Sequence, residues 1–296
     1  MAELAKATVE TAEIDELHSP LREFWRRLSK NKLAMVSLVF LLGLTLVALF
    51  APYIAPYDPI NGIMEESLQA PNAKHLLGTD ELGRDILSRI IFGARISLRV
   101  GLLAVAIALS VGTVLGSIAG YYGGKIDLII MRFMDIMLSF PSLLLAIAFM
   151  AVLGRGVENA VIAISIVTMP EYARIVRGSV LSVKENEYVQ AARAIGNRDA
   201  AIIFKHILPN VMAPIIVRGT LGISTAILET AALGFLGLGV QPPDAEWGTM
   251  LGSGRGYLFN APHLVYFPGI AITLTVMAFN LLGDGLRDAL DPRLRQ

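Results

Sequence analysis

Cysteine is absent from the 296-residue sequence. This absence excludes disulfide bonds, thiolate metal sites and a cysteine nucleophile. Histidine is also scarce, and the four that occur lie far apart and match no metal-ligand spacing: His18, His75, His206 and His263. We expect these histidines to be ordinary loop or interfacial residues, and we expect this chain to bind no metal.

Charge is scarce as well. Only 17% of the residues are charged, acidic and basic residues balance to a net charge of zero, and no basic stripe of the kind that binds nucleic acid is present. Hydrophobic residues make up 54% of the chain, and its mean hydropathy is +0.61. A soluble protein of this length needs more polar surface to cover its core. The composition therefore predicts an integral membrane protein without a nucleic-acid partner.

Long apolar runs identify the membrane-spanning segments. A helix that crosses the hydrocarbon core needs about 20 mainly apolar residues. The runs that reach or nearly reach this length are residues 33–51, 100–119, 136–153, 215–238 and 265–282. The first begins too deep in the chain for a cleaved signal, and Pro52 follows it directly, so we expect a retained anchor.

A sixth span is less obvious. Residues 160–169 are apolar, but Pro170 and Glu171 interrupt them before a helical pattern resumes, and this segment alone also fits a re-entrant element. Lys and Arg are concentrated in the two tails, in the 120–135 loop and in the 179–214 segment, and basic residues favour the cytoplasmic side. Six spans place these parts on one side, whereas five do not. The sequence thus predicts an all-α membrane protein with six transmembrane helices and both termini in the cytoplasm.

This topology divides the chain into consecutive parts. They are a cytoplasmic N-terminal tail (1–32), a first transmembrane helix (33–51), an external segment (52–96), a membrane core (97–288) that contains the cytoplasmic loop 179–214, and a cytoplasmic C-terminal tail (289–296). The external segment ends in an amphipathic stretch. We expect this stretch to lie along the outer interface, with Arg84, Arg89 and Arg95 at the lipid headgroups.

Small residues recur every four positions in the second predicted span, at Ala108, Gly112, Gly116 and Gly120. This spacing forms a strip on one helix face along which another helix can approach closely. A helix surrounded by lipid does not need such a strip. The pattern therefore indicates a packed bundle of several membrane helices.

The cytoplasmic segment from Glu185 to Asn210 is predicted to form a helix, a glycine turn and a second helix. Helical spacing gives the first helix one apolar face, formed by Tyr188, Ala191, Ala192 and Ile195. Ser182 and Glu185 fit a capping box before it, and Gly196 fits the left-handed stop after it. We expect Asn197 or Asp199 to cap the second helix, which runs through Ile202, Ile203, His206 and Ile207 and ends near Pro209.

A loop of this kind suits two roles. It could be a lid that packs on the cytoplasmic face of its own chain, or a docking site for a partner protein. Alanines at its centre let a partner surface come close, and basic residues surround it. Both features favour docking.

The same segment resembles the cytoplasmic loop of binding-protein-dependent ABC importer permeases. The pattern of that loop is Glu-Ala-Ala, three residues, Gly, nine residues and Ile-x-Leu-Pro. It falls here on Gln190, Ala191, Ala192 and Gly196 and then on His206, Ile207, Leu208 and Pro209. Gln190 replaces Glu and His206 replaces Ile, which changes the polar contacts but leaves the helix-turn-helix frame.

Three longer stretches narrow the resemblance: residues 77–98, 232–251 and 280–296 are similar to the second permease of dipeptide and oligopeptide importers. The likeness runs from about Leu21 to the C-terminus. It implies a type I ABC importer permease fold, with residues 97–288 as the permease core, in the bacterial cytoplasmic (inner) membrane. It also implies that the protein is not itself an enzyme.

The resemblance further implies an assembly. A homologous second permease would complete the pathway as a heterodimer, two ATPase subunits would dock beneath, and an external binding protein would deliver the substrate. This chain would bind no cofactor, because ATP and Mg are used by the ATPase subunits. The residues implied in coupling to one ATPase are Glu187, Tyr188, Gln190, Ala191, Ala192, Gly196, His206, Leu208 and Pro209. Closure of the ATPase pair would move this loop and turn the pathway outward.

Three residues inside the spans are candidates for the pathway. Glu229 lies in the fifth span, where a carboxylate is costly unless it faces a cavity or a partner. It could meet the amino group of a peptide or a basic residue of a neighbouring helix, or it could belong to a buried structural pair. Asn280 is better suited to a helix–helix hydrogen bond than to solute binding. Pro170 fits an interrupted, cavity-lining span or a simple kink.

Other classes of protein fit less well. Residues 120–126 are the nearest approach to a phosphate-binding loop, and they lack its glycine spacing and final hydroxyl. An ion-coupled secondary transporter, the main alternative, commonly has several ionisable residues at mid-membrane, where Glu229 is nearly alone. An intramembrane enzyme would need a metal pair or a nucleophile with its base, and neither is visible in the spans. The solute stays open, because similar permeases handle dipeptides, longer peptides, glutathione and nickel chelates.

Overall fold

The computed structural model describes residues 20–290, and over this range the chain is helical and forms no sheet beyond an isolated bridge between Thr79 and Asp85. The predicted tails 1–32 and 289–296 therefore lie partly outside the described residues, and His18 lies wholly outside them. The α-helices are α1 (Pro20–Lys30), α2 (Lys32–Leu49), α3 (Ala51–Ile54), α4 (Ile86–Tyr122), α5 (Gly124–Leu138), α6 (Ser142–Leu153), α7 (Val157–Val183), α8 (Glu187–Ala194), α9 (Asp199–Ala201), α10 (Met212–Phe235), α11 (Trp247–Gly254) and α12 (His263–Leu290).

Five helical segments in the described range are long and apolar enough to cross a membrane: α2, α4, α7, the run Asp199–Phe235 that includes α10, and α12. The pair α5 and α6 also qualifies if it is counted as one span, although the chain bends by 94° between the two helices. The predicted span 136–153 thus lies across this bend. These segments confirm the prediction of an all-α membrane protein and account for each predicted span.

The two ends of the helix bundle differ in the helices and loops that lie at each end. At one end, named here the loop end, α1 packs on the end of α12, where Leu28, Ala34 and Ala289 form a small cluster. The 184–211 segment lies at the same end, because Ile175 of α7, Arg218 of α10 and Arg287 of α12 line a common cavity of about 440 Å³. Residues 55–85 and 236–262 lie at the opposite end, named the far end, where the amide of Gly156 donates to the carbonyl of Gly239 (3.2 Å).

Chain direction then decides the number of crossings. Helix α4 runs from the far end to the loop end, and α7 does the same, so α5 and α6 together must carry the chain back once. The described chain also begins and ends at the loop end, which requires an even number of crossings. Six crossings satisfy both conditions.

Helix α4 starts earlier than predicted. It is continuous from Ile86 to Tyr122, and the carboxylate of Asp85 caps its start by accepting from the amide of Ser88 (2.8 Å). The amphipathic stretch is therefore continuous with the second predicted span, and the predicted boundary at residues 96 and 97 lies inside one helix. The buried ionic cluster described below supports this part of α4.

Helix α7 is also continuous, and Pro170 lies buried in its interior. Of the two interpretations of Pro170, the interrupted span therefore does not apply, and the simple kink stays a prediction. Close packing against α4 explains why the helix persists. A Cβ atom added at Gly112 would lie 2.7 Å from the Cβ of Tyr172, and one added at Gly120 would lie 2.9 Å from the Cβ of Val180. The strip predicted on α4 thus faces α7 along much of its length.

Candidate coupling loop and transport pathway

The loop between α7 and α10 has the predicted helix-turn-helix form in its first half. Helix α8 ends at Ala194, and Gly196 adopts the predicted left-handed conformation with φ of +81°. The amide of Asn197 donates to the carbonyl of Ala192 (3.2 Å), and that of Gly196 to the carbonyl of Arg193 (3.0 Å). These bonds satisfy carbonyl groups that the helix end would leave free.

The face of α8 that packs on the bundle differs from the prediction. Val189 and Ala192 are buried, whereas Tyr188, Ala191 and Ile195 are exposed. The bundle offers apolar contacts only on one side of α8, through a cluster formed by Val176, Val180, Ile202, Ile203, Ile207 and others. Helical periodicity identifies a stripe of apolar residues, but this cluster decides which edge of the stripe is covered.

The predicted caps are also replaced by other contacts. Asn186, not Ser182, is the N-cap residue of α8, and the hydroxyl of Ser182 donates to the carbonyl of Ser179 (2.7 Å). The side chains of Asn197 and Asp199 do not cap α9, since its N-cap is Arg198 and no side-chain cap bond forms. The predicted capping box and second cap are therefore wrong.

The second half of the loop does not end at Pro209. A π-helix (Ile202–Ile207) leads into a 3₁₀ turn (Leu208–Val211), and α10 follows directly. Pro209 lies at the start of the 3₁₀ turn, where its missing amide hydrogen breaks no helical bond. The second loop helix is thus continuous with a membrane span, which sequence reasoning did not predict.

Most residues of the importer motif lie at the surface of the loop. Exposed members are Glu187, Tyr188, Gln190, Ala191, Gly196 and Pro209, half-buried members are His206 and Leu208, and Ala192 is buried. Ile195 and Phe204 add apolar surface, with 79% and 63% of their area exposed. The two residues that depart from the motif make local contacts: the Gln190 amide donates to the carbonyl of Glu185 (3.0 Å), and the His206 carbonyl accepts from the side chain of Asn210 (2.6 Å).

Polar contacts tie the loop to the bundle. The hydroxyl of Tyr121, at the end of α4, donates to the carboxylate of Asp199 (2.8 Å), and the guanidinium of Arg193 lies 5.4 Å from the centre of the Tyr121 ring. The loop is therefore attached to α4 as well as to α10. The sequence contained no signal for this link, because the residues are 78 positions apart.

Ion pairs join the helices at the loop end. Arg177 of α7 donates to Asp127 of α5 (2.6 Å), and Arg174 donates to Asp135 (2.6 Å). A third pair joins Glu171 of α7 to Arg218 of α10. In the sequence, these basic residues indicated only which side of the membrane a loop faces. In the structure they also hold α5 and α10 against α7.

Two of the candidate pathway residues, Glu229 and Asn280, have different surroundings. Glu229 is buried, with 7% of its surface exposed, and its Oε2 atom has no hydrogen-bond partner. The hydroxyl of Ser142 is its polar neighbour. Asn280 accepts a hydrogen bond from Ser224 (2.7 Å) and so makes the helix–helix contact that its sequence position indicated. No buried salt bridge of Glu229 occurs in the part of the chain that the structure describes, which excludes the structural pair within residues 20–290.

The far end contains an ionic cluster that sequence reasoning missed. The imidazole of His75 lies between two carboxylates, with Nδ1 2.9 Å from Asp85 and Nε2 3.0 Å from Glu66. The ring of Tyr57 packs on it at 4.8 Å between ring centres. Lys74 and His75 hold the pKa of Glu66 below its usual value. His75 lies in a loop as predicted but is buried, and so is His263 at the start of α12, which approaches the carbonyl of Thr79 (3.2 Å).

Two of the three arginines that were predicted to lie at the lipid headgroups belong to this cluster. Arg84 and Arg89 are buried, and Asp80 lies 2.7 Å from the first and 3.4 Å from the second. Arg89 also donates to the carbonyl of Pro59 (2.7 Å). Arg95 alone of the three is exposed. The headgroup prediction is therefore wrong for Arg84 and Arg89, because the external segment folds back over the start of α4 and supplies their acceptors.

Glu246 joins the other half of the far end to α4. It is buried and caps α11, where its carboxylate accepts from the amides of Gly248 and Thr249 (both 2.8 Å). The hydroxyl of Ser97 on α4 lies 3.3 Å away. Burial raises the pKa of Glu246 although these hydrogen bonds oppose the shift. Within residues 20–290, no three His, Asp or Glu side chains come together in a way that could hold a metal ion.

A helical membrane bundle of six crossings with an exposed helix-turn-helix loop is an arrangement that a transporter permease can have. Comparison with known families makes this specific. Residues 112–296 match the model of the binding-protein-dependent transport system inner membrane component, and residues 19–71 match the N-terminal TM domain of oligopeptide transport permease C. The chain belongs to this family of inner membrane components, whose members work with ATPase and substrate-binding subunits.

Individual relatives agree with this assignment. The dipeptide transport system permease protein DppC of Alkalihalophilus pseudofirmus is 54% identical over 94% of this chain and 91% of the relative. The di/tripeptide permease DppC of Pseudomonas aeruginosa is 52% identical (94% and 93% covered), and the glutathione permease GsiD of Pectobacterium atrosepticum is 47% identical (98% and 96% covered).

The fold is also found among solved structures. The inward-facing MetNI methionine ABC transporter superposes with a TM-score of 0.57 at 18% sequence identity, over 70% of this chain and 98% of the MetNI chain. This similarity shows a type I importer permease fold. It confirms the fold implied by the resemblance of the loop.

Proposed function

We propose that this chain forms one half of the translocation pathway of an ATP-driven importer of dipeptides and other short peptides. The observation that carries the proposal is the helix-turn-helix loop, which presents Tyr188, Ile195 and Phe204 to solvent at one end of the bundle. Exposed apolar side chains on a folded loop are typical of a surface that a partner covers. In our proposal the partner is an ATPase subunit.

The coupling mechanism follows from how the loop is attached. Its inner face packs on α7, its second half continues into α10, and Asp199 bonds to Tyr121 of α4. Closely packed elements move as units and do not deform continuously. When ATP closes the two ATPase subunits, the loop moves with the docked subunit and carries these three helices, which turns the pathway outward.

The assembly we propose has a homologous second permease as heterodimeric partner, two ATPase subunits that use ATP and Mg, and an external binding protein. The loop end lies in the cytoplasm, and so do both termini. Basic residues at the loop end, among them Arg193, Arg198 and Lys205, support this orientation. The folded far end then faces the binding protein.

The substrate class rests on the relatives. Two of them are named for transport of dipeptides or of di- and tripeptides, and others for glutathione, which is itself a small peptide. A short peptide is the chemistry that these names share. A nickel chelate is the remaining alternative among importers, and an ion-coupled secondary transporter is the alternative outside them.

Cross-linking tests the docking and the orientation together. Because the natural chain has no cysteine, each single-cysteine variant carries one reactive thiol in this subunit. Ile195→Cys and Phe204→Cys should cross-link to an ATPase subunit and resist a membrane-impermeant thiol reagent added outside the cell. Phe259→Cys is the matched control, since Phe259 is an apolar residue at the far end with 96% of its surface exposed. It should react from outside and should not cross-link to the ATPase. The reverse pattern would refute the proposal.

Uptake by the purified complex in liposomes tests the energy source and the solute. Import of a dipeptide that requires ATP and the binding protein, without an ion gradient, is the expected result. Import that follows a proton or sodium gradient in the absence of ATP would favour a secondary transporter. ATP-driven import of a nickel chelate without import of any peptide would reassign the substrate.

A further inference from the structure

Glu229 differs from the acidic residues of the neighbouring helices. Each described acidic residue of α5 and α7 has a basic partner: Asp127 with Arg177, Asp135 with Arg174, Glu158 with Arg99, and Glu171 with Arg218. Glu229 has no such partner, although it is more deeply buried than any of them. Its unpaired carboxylate is therefore not explained by the folding of this chain.

Glu229 lies inside α10 and not at its end. It precedes Phe235, the last residue of α10, by six residues, which is about 9 Å along the helix axis. Its side chain points back toward the start of α10, as helical side chains do. Ser142, at the start of α6, lies next to the carboxylate, so Glu229 faces the point where the bent pair α5–α6 is broken.

Polar groups of α6 lie beside the carboxylate, and no basic side chain of the described residues pairs with it. They are the hydroxyl of Ser142 and the first turn of α6, whose leading amides have no intrahelical acceptor. Thr225, one turn before Glu229 on α10, is exposed in the described chain. A solute that enters here meets hydrogen-bonding groups around one unpaired anion.

A buried carboxylate without a cation is costly, and the cost is offset when a cation comes to it. We propose that Glu229 is a transient binding site for the N-terminal ammonium group of the transported peptide, whose N–H groups donate to Oε2. This inference rests on the proposed function, because it assumes that peptides pass through this bundle. It adds a recognition step inside the membrane to the selection made by the binding protein.

The test compares two substrates and two variants in the complete transporter reconstituted in liposomes. Initial uptake is measured for radiolabelled alanylalanine and for its N-acetyl derivative, which lacks the ammonium group. Glu229→Gln should lower uptake of alanylalanine about tenfold or more, since a hydrogen bond to a charged group is lost, and should leave uptake of the acetylated peptide within about twofold. The effect of Glu229→Gln on one peptide is divided by its effect on the other. Because the same binding protein is used in all samples, its preference for either peptide cancels in this ratio. Glu158→Gln, which removes an exposed ion pair on α7, is the matched control and should change neither rate.

Three outcomes would overturn the inference. Uptake of alanylalanine by Glu229→Gln at the wild-type rate would remove the carboxylate from the pathway. Equal loss for both peptides would assign Glu229 to a salt bridge with the second permease or to another structural role. Failure of both Glu229→Gln and Glu229→Asp to assemble would likewise assign Glu229 to a structural role. If the wild-type transporter imports no peptide at all, the proposed function fails instead, and the two failures are thereby distinguished.

A second measurement does not depend on transport of the acetylated peptide. In Glu229→Cys, the single thiol of this chain should react with a water-soluble, ammonium-bearing methanethiosulfonate during ATP turnover with the binding protein. An excess of alanylalanine should slow this reaction. Ala163→Cys, fully buried between helices, is the unreactive control. Absence of labelling at position 229 in every nucleotide state of the assembled transporter would also overturn the inference.

Discussion

Close packing between α4 and α7 can be tested with a single added methyl group. A Cβ atom at Gly116 would lie 2.9 Å from the Cβ of Val176 and closer still to the carbonyl oxygen of Ala173, whereas real Cβ atoms essentially never come within 3.0 Å of such atoms. The contacts are backbone atoms and the first atom of a branched side chain, so neither can rotate away. Gly116→Ala must push the two helices apart.

The size of the effect follows from two opposing contributions. Overpacking of this kind typically costs about 1–3 kcal/mol. Gly178→Ala on α7 is the matched control, because a Cβ atom there meets nothing within 4 Å. That variant should be stabilised by about 0.5–1 kcal/mol, since alanine loses less backbone entropy than glycine in a helix. The entropy gain applies to both glycines, so the stabilities of the two variants should differ by about 1–3 kcal/mol, which is the cost of overpacking alone.

The assay is heating of the detergent-purified transporter, followed by size-exclusion chromatography of the complex that survives. Gly116→Ala should lose the complex several degrees below wild type, and Gly178→Ala should match or exceed wild type. Equal melting of the two variants would refute the packing argument. It would mean that α4 and α7 are not in close contact in the assembled protein.

Two further predictions concern the far end. Asp80→Asn should destabilise the external segment by about 3–5 kcal/mol, because it leaves the buried Arg84 and Arg89 without their shared carboxylate. Protease added outside spheroplasts should then cleave residues 55–85 in this variant. It should not cleave them in wild type or in Glu65→Gln, a control at an exposed residue. The pKa of Glu66 is lower in the folded protein than its value of 4.5 in the unfolded chain. The ionised Glu66 side chain therefore stabilises the fold at a pH above 4.5, and this stabilisation is lost as the pH falls through the folded-state pKa. Protease resistance should therefore decline below pH 4.5 more steeply in wild type than in Glu66→Gln, and parallel declines would contradict this assignment.

Much of this protein is determined by local properties of its sequence. The length of each apolar run fixes where a helix can cross the membrane, and the distribution of Lys and Arg distinguishes an even from an odd number of crossings. The four-residue spacing of Gly112, Gly116 and Gly120 identifies a packing face, and Gly196 marks a helix stop. Each of these properties depends on residues close together in the chain, so they can be recognised without the fold.

Other features depend on which elements meet in space. Val189 of α8 is covered while Ile195 is exposed because α7 and the π-helix lie on one side only. Pro170 remains within a helix because α4 packs along α7. Arg84 and Arg89 become core residues because residues 55–85 fold over α4, and Glu229 is unpaired because no basic side chain of the described chain reaches it. Burial and charge pairing are properties of contacts between distant residues, and only the tertiary structure brings those residues together.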